Sequence, residues 1–116
     1  MNWYKVLDIK DINYPFIKKV KAGSTTIALV GVDDEVCALS ARCPHAGEDL
    51  SYGWCKDGKL VCPVHRYSYD IHTGRGSPGQ GDYVDTYSVE IRKDGVYVGI
   101  KEKWGFIKRL FKNDYT

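Results

Sequence analysis

The chain has 116 residues, a net charge of +2 and 43% hydrophobic residues, enough to bury one modest core in a single domain over residues 1–116. Its charge is too mild and too evenly spread for a nucleic-acid face, and no stretch approaches the roughly 18 apolar residues of a membrane span. Residues 1–10 contain no apolar signal core and no small-residue cleavage site, so the expected address is the cytoplasm.

Short Val, Ile and Tyr runs separated by glycine-containing turns predict an all-β fold. The first strand is expected over residues 3–9 and the second over 17–21, where Ile and Val alternate with Lys. An apolar run over 25–32, the Asp33-Asp34 turn and a return over 35–40 read as a hairpin. Two shorter strands are expected over 59–62, after the Asp57-Gly58 turn, and over 67–70. Residues 73–81 hold four glycines and read as a loop. A last hairpin joins 87–92 to 96–100 through Asp94-Gly95. Beyond it, Trp104, Phe106, Ile107, Leu110 and Phe111 share one side of a helical wheel and Lys108, Arg109 and Lys112 the other. This predicts a short amphipathic C-terminal helix over about 105–111, whose apolar face needs a surface to lie on because so short a helix is unstable alone.

The chemistry-bearing residues are concentrated. There are four cysteines, Cys37, Cys43, Cys55 and Cys62, and three histidines, His45, His65 and His72. In a reducing compartment such cysteines point to metal or redox chemistry rather than disulfides. Cys43-Pro44-His45 is followed, after sixteen residues, by Cys62-Pro63-Val64-His65. Each half offers one thiolate and one imidazole from a loop that proline stiffens. Such a set serves either tetrahedral zinc or a [2Fe–2S] cluster in which two His replace two Cys on one iron. Zinc fingers usually pair Cys with Cys and His with His, whereas here each half mixes the two. Mixed halves suit a cluster better, each loop giving its Cys to one iron and its His to the other. The remaining candidates have plainer readings: Cys37 as a small buried hydrophobe in a strand, Cys55 as an unreactive thiol, and His72 as a solvated turn residue.

Cys43-Pro-His45-Ala-Gly47, Gly53, Cys62-Pro-Val-His65, Tyr69-Asp70 and Thr73-Gly74 together resemble the Rieske iron–sulfur proteins, most closely the small Rieske-type ferredoxins. The resemblance runs from about residue 4 to residue 100. It implies three antiparallel sheets, a barrel-like base, and a small cluster-binding subdomain over about 42–81. It implies one [2Fe–2S] cluster with Cys43 and Cys62 on one iron and His45 and His65 on the other. High-potential relatives join their ligand loops by a disulfide, whose positions here are Glu48 and Val64. They also place a serine hydroxyl near a bridging sulfide, where this chain has Tyr67. Their tyrosine that donates to a cysteine sulfur corresponds to Tyr69. The proline-containing loop that covers the cluster in relatives corresponds to Gly76-Ser77-Pro78-Gly79, and its glycine content predicts a loose cover. These features lead us to expect a midpoint of roughly −150 to +50 mV, raised somewhat by Tyr69.

The chain has no mononuclear iron triad, no Gly-x-Gly-x-x-Gly and no evident nucleophile. The expected role is therefore a single-electron carrier and not an enzyme, working between a reductase and a terminal oxygenase or other oxidoreductase. Two alternatives are a small subunit or auxiliary domain of a larger oxidoreductase such as a nitrite reductase, and a zinc-stabilised interaction module.

Overall fold

The structure is a computed structural model that describes residues 1–43, 49–64 and 66–101. Nine strands are laid down in chain order: β1 (Asn2–Asp8), β2 (Phe16–Ala22), β3 (Thr25–Val32), β4 (Glu35–Ser40), β5 (Trp54–Lys56), β6 (Lys59–Val61), β7 (Ser68–Asp70), β8 (Thr86–Arg92) and β9 (Gly95–Ile100). All pairings are antiparallel. Six strands run in the order β1-β9-β8-β4-β3-β2, and β5-β6-β7 form a separate three-stranded sheet. The β4–β8 junction spans only Ala38↔Tyr87 and Leu39↔Thr86, so the larger sheet divides into β1-β9-β8 and β4-β3-β2. Its outermost strands, β1 and β2, come back into contact and give the base its barrel-like closure. The fold is thus the expected all-β arrangement of three antiparallel units. The amphipathic segment 105–111 lies outside the described residues.

The turns follow local chemistry. Asp33 (φ 51°) and Asp34 (φ 60°) both adopt the left-handed region, as do Asp57 (φ 53°) and Gly58 (φ 74°). Paired positive φ values define the type I′ turn, whose twist matches that of the flanking strands. The hairpins β3–β4 and β5–β6 are built on these two turns. Strand β5 itself carried no usable pattern, since Trp54-Cys55-Lys56 is too short to show alternation.

Several expected strand ends shift by a single residue, and two of the shifts have a clear cause. Strand β1 stops at Asp8, and Ile9–Asp11 forms a 3-10 turn. The reason lies in the partner strand, which begins at Gly95 opposite Asp8, so that beyond it Ile9 meets the turn and donates its N–H to the Asp94 carbonyl at 3.0 Å. The final hairpin turns at Lys93 and Asp94, one residue earlier than expected, because Arg92 pairs directly with Gly95. Gly95 is instead a buried strand residue, and a Cβ there would sit 2.2 Å from the Leu7 carbonyl oxygen.

Two apolar clusters fill the interior, and β3 divides them. Ile27 and Leu29 face a cluster with Ala22, Ala38, Val96 and Val98 in the base. Ala28 and Val30 face the other cluster, which contains Leu39, Leu50, Leu60, Cys62, Tyr69 and Cys43. Strand β3 is therefore apolar on both sides because both sides are covered.

Candidate functional site

The two loops that carry the Cys/His pairs close on hydrogen bonds at their bases. The first leaves β4, passes Cys43 and returns at Asp49. Its neck is the Arg42↔Asp49 bridge and a 2.6 Å bond from the Leu50 N–H to the Ala41 carbonyl. Beyond the neck, Leu50–Tyr52 make a 3-10 turn capped by Asp49, whose Oδ1 accepts from the Ser51 N–H at 2.9 Å. Asp49 Oδ2 also meets Lys19 Nζ of β2 at 2.7 Å, pinning this end of the loop to the base. The second loop joins β6 to β7 and is closed by the Cys62 N–H donating to the Tyr67 carbonyl at 2.6 Å.

Gly53 brings the two loops together. A Cβ at this position would lie 1.8 Å from the Val61 carbonyl oxygen, immediately before Cys62. Only a residue without a side chain lets the backbone following the first loop lie against the strand that delivers Cys62.

Cys43 is 1% exposed and Cys62 0%. Both belong to one apolar cluster with Leu50, Leu60, Ile71 and Val84, and none of the four cysteines is disulfide-bonded. Tyr69, on β7, reaches across this cluster and places its hydroxyl 3.4 Å from Cys43 Sγ. The same hydroxyl donates to Asp82 Oδ2 at 2.9 Å. Burial, followed by the hydrogen bonds to Cys43 and Asp82, pushes the Tyr69 hydroxyl far above the ordinary phenol range, so it stays protonated. Buried soft thiolates set in an apolar wall beside a hydroxyl donor fit the cysteine side of an iron–sulfur centre. His45 and His65 lie outside the described residues.

The loop over 76–79 is held more firmly than its glycine content suggested. The Ser77 N–H donates to the Ser68 carbonyl at 3.1 Å, and Lys59 Nζ reaches Ser77 Oγ at 3.1 Å. The Ser77 and Ser68 hydroxyls also hydrogen-bond to each other. Gln80 then clamps Ser68 from the other side: its Oε1 accepts from the Ser68 N–H at 2.9 Å and its Nε2 donates to the Ser68 carbonyl at 3.1 Å. Tyr67 packs against the edge of the same cluster.

The Tyr69-Asp70 and Thr73-Gly74 pairs have a local explanation. Asp70 Oδ1 accepts from the backbone N–H groups of His72 (2.8 Å) and Thr73 (3.0 Å), while the Gly74 N–H bonds to the Asp70 carbonyl at 2.8 Å. The backbone donors hold the Asp70 carboxyl below its usual range. This turn fixes the end of β7 and hence the strand that carries Tyr69.

Two of the other chemistry-bearing residues, Cys37 and His72, gather elsewhere beside Glu35. Glu35, Cys37 and His72 bring potential ligand atoms within 4.8 Å of one another. His72 is exposed, as expected, and its Nε2 pairs with Glu35 Oε2 at 2.7 Å, which raises its pKa. Cys37 is half-buried; burial first, then the Glu35 charge, pushes its thiol up to about 11. Burial likewise raises the Cys55 thiol. Neither thiol is poised to ionise. The sequence reading did not single out Asp49 or Asp82. Asp49 carries a detectable signal, an Asp two residues before a serine at a turn. Asp82 follows a glycine-rich stretch and carries none.

Three comparisons bear on this geometry. Residues 2–87 match the family described as the Rieske [2Fe-2S] domain. The chain is 30% identical over 92 residues to the ferredoxin component of the naphthalene 1,2-dioxygenase/salicylate 5-hydroxylase systems of Ralstonia sp, covering 78% of this chain and 88% of that one. It is 34% identical over 95 residues to apoptosis-inducing factor 3 of Homo sapiens, covering 80% of this chain but only 16% of that protein. Among solved structures, it superposes with a TM-score of 0.76 and 26% identity on a chain of the complex of reduced oxygenase and oxidised ferredoxin in carbazole 1,9a-dioxygenase, covering 84% of this chain and 92% of that one. A family match over most of the chain, on a fold that sets two buried cysteines at the necks of adjoining loops, places this protein: it belongs to the Rieske [2Fe-2S] domain family.

Proposed function

We propose that the protein is a soluble, cytoplasmic single-electron carrier that takes an electron from a reductase and delivers it to a terminal oxygenase or similar oxidoreductase. Its one [2Fe–2S] cluster would be held by Cys43 and Cys62 on one iron and by His45 and His65 on the other. Residues 1–116 would form a single domain whose cluster-binding part spans about 42–81. The observation that carries the reading is the pair of buried thiols, Cys43 and Cys62, each at the neck of a hydrogen-bonded loop in one apolar cluster. The relative from Ralstonia sp named as a dioxygenase-system ferredoxin component supports the choice of role. No helix among the described residues is long and apolar enough to cross a membrane.

When bound, the cluster supplies a site that gains and loses one electron. The protein's own residues keep that site dry and still. Leu50, Leu60, Ile71 and Val84 exclude water from the sulfur side, and the Asp49, Gly53 and Gln80 contacts hold the two loops and the flanking strand in register. Fixed loop necks keep reorganisation small when charge changes by one unit, which favours rapid transfer to a docked partner.

Iron and acid-labile sulfide analysis, with the electron paramagnetic resonance spectrum of the reduced protein, tests the ligand set. Wild type is expected to bind two irons and two sulfides per chain, and Cys43→Ser, Cys62→Ser, His45→Ala and His65→Ala each to lose the spectrum. Protein-film voltammetry should give a midpoint of roughly −150 to +50 mV, and a value above about +200 mV would contradict the assignment of low-potential type. Stoichiometric zinc without sulfide would instead establish the interaction module. The match to a short part of apoptosis-inducing factor 3 favours one second reading, an auxiliary domain or subunit of a larger oxidoreductase. Co-purification with a large subunit distinguishes it from a free carrier.

A further inference from the structure

The Tyr69 hydroxyl has one proton and two neighbours able to take it. Asp82 Oδ2 lies at 2.9 Å and Cys43 Sγ at 3.4 Å. With no metal, the Cys43 thiol has its own proton, so Cys43 can donate to Tyr69 while Tyr69 donates to Asp82 without conflict. A metal-bound Cys43 thiolate has no proton. Sulfur and carboxylate are then both acceptors, and one tyrosine proton cannot satisfy both. A hydrogen bond to a carboxylate is charge-assisted and roughly twice as strong as a neutral one, whereas the thiolate's charge is drawn onto iron. The carboxylate wins.

We propose that Asp82 is a positioning residue that holds the Tyr69 proton away from the Cys43 sulfur and so keeps the reduction potential low. Hydrogen bonds to cluster sulfurs are a recognised lever on potential because they stabilise the more negative, reduced state. The inference rests on the ligand set proposed above and concerns only this chain's residues around it.

The placement of Asp82 is built into the fold. Its Oδ1 accepts from Gln80 Nε2 at 3.2 Å, and its carbonyl accepts from the Gly76 N–H at 3.0 Å. Gln80 also grips both backbone groups of Ser68, the residue before Tyr69. The loop carrying Asp82 and the strand carrying Tyr69 therefore move as one unit. Among the described residues no Lys, Arg or His pairs with Asp82, and its carboxylate accepts from the Tyr69 hydroxyl and the Gln80 amide. The resemblance alone assigns Tyr69 a potential-raising bond to sulfur. The geometry makes that bond weak while Asp82 is present.

A double-mutant cycle on the cluster-loaded protein tests this, read by protein-film voltammetry. Asp82→Asn should raise the midpoint potential, because the Asn side-chain amide donates to Tyr69 Oη and releases the tyrosine proton to sulfur. Tyr69→Phe alone should shift the potential little, yet lower it clearly in the Asp82→Asn background. The rise caused by Asp82→Asn should shrink by more than half in the Tyr69→Phe background. An equal rise in both backgrounds would mean that removal of charge acts through space and would overturn the proposal, as would no rise at all. Resonance Raman bands of the Fe–Sγ stretches give an independent readout: they should shift on Asp82→Asn only when residue 69 is tyrosine. If Asp82→Asn fails to load, Asp82→Ala carries the same cycle with the same expected sign. A wild type lacking iron and sulfide would overturn the ligand set, whereas a loaded wild type with an uncoupled cycle overturns only the role of Asp82.

Discussion

Asp49 shows how one carboxylate can hold the neck of a loop from outside it. It caps the 3-10 turn after the first ligand loop and pairs with Lys19 on the base. Partial burial raises its pKa, but the Lys19 and Ser51 hydrogen bonds outweigh this and the net shift is downward. A depressed folded-state value contributes stability that is present above the unfolded carboxyl pKa, near 3.9, and is lost as pH falls through the lower folded value. Asp49→Ala is expected to cost about 1–2 kcal/mol at pH 7 by urea denaturation. The gap from wild type should narrow as pH falls below about 4. Tyr69 and Asp82 make the contrasting case at this scale. The tyrosine was legible because the resemblance to the Rieske proteins gives its position a role. Its controlling partner was not, because Asp82 reaches it only through a loop whose path no local pattern encodes.

At the scale of elements, turns whose chemistry is local were readable and contacts between strands were not. Asp33-Asp34 and Asp57-Gly58 announce type I′ turns by residue type, and the backbone adopts them. Asp94-Gly95 looked the same but is not the turn, because Gly95 is required by the crossing of Leu7 on β1. Gly53 has the same kind of reason: it follows a 3-10 turn and meets the β6 backbone. Gly53→Ala is expected to destabilise the protein by about 3 kcal/mol or more, since the obstructing atom is a backbone carbonyl that cannot swing away. It should also lower cluster content, measured as iron per chain after chemical reconstitution. A variant that loads fully and melts like wild type would show that the loops are not held together at this point.

At the scale of the whole molecule, two cores share β3 but serve different ends. The cluster containing Leu29 belongs to the base, while the one containing Leu60 lies under Cys43, Cys62 and Tyr69. Both leucines are fully buried, so truncating either to alanine should cost about 2–5 kcal/mol. Their effects on the proposed cluster site should separate. Leu29→Ala should leave the midpoint potential and the reduced-state spectrum unchanged. Leu60→Ala should broaden the spectrum and speed cluster loss under chelator, because the cavity opens beside the cysteines. Equal loss rates for the two variants would mean that the cores act as one.

The amino-acid sequence by itself determined the all-β class, eight of the nine strands to within a residue or two at each end, and the Cys/His pairs that carry the family resemblance. Those are properties of neighbours along the chain: alternation, turn residues and ligand spacing. The tertiary structure alone decided that β5 forms, since three residues need a partner to become a strand. It decided too that Gly53 and Gly95 are required by backbones from other strands. Finally, it placed a carboxylate thirteen residues beyond Tyr69 on the hydroxyl that also touches Cys43. Each of these depends on groups distant in sequence meeting at a few ångströms, which hydrophobic periodicity and local propensity do not encode.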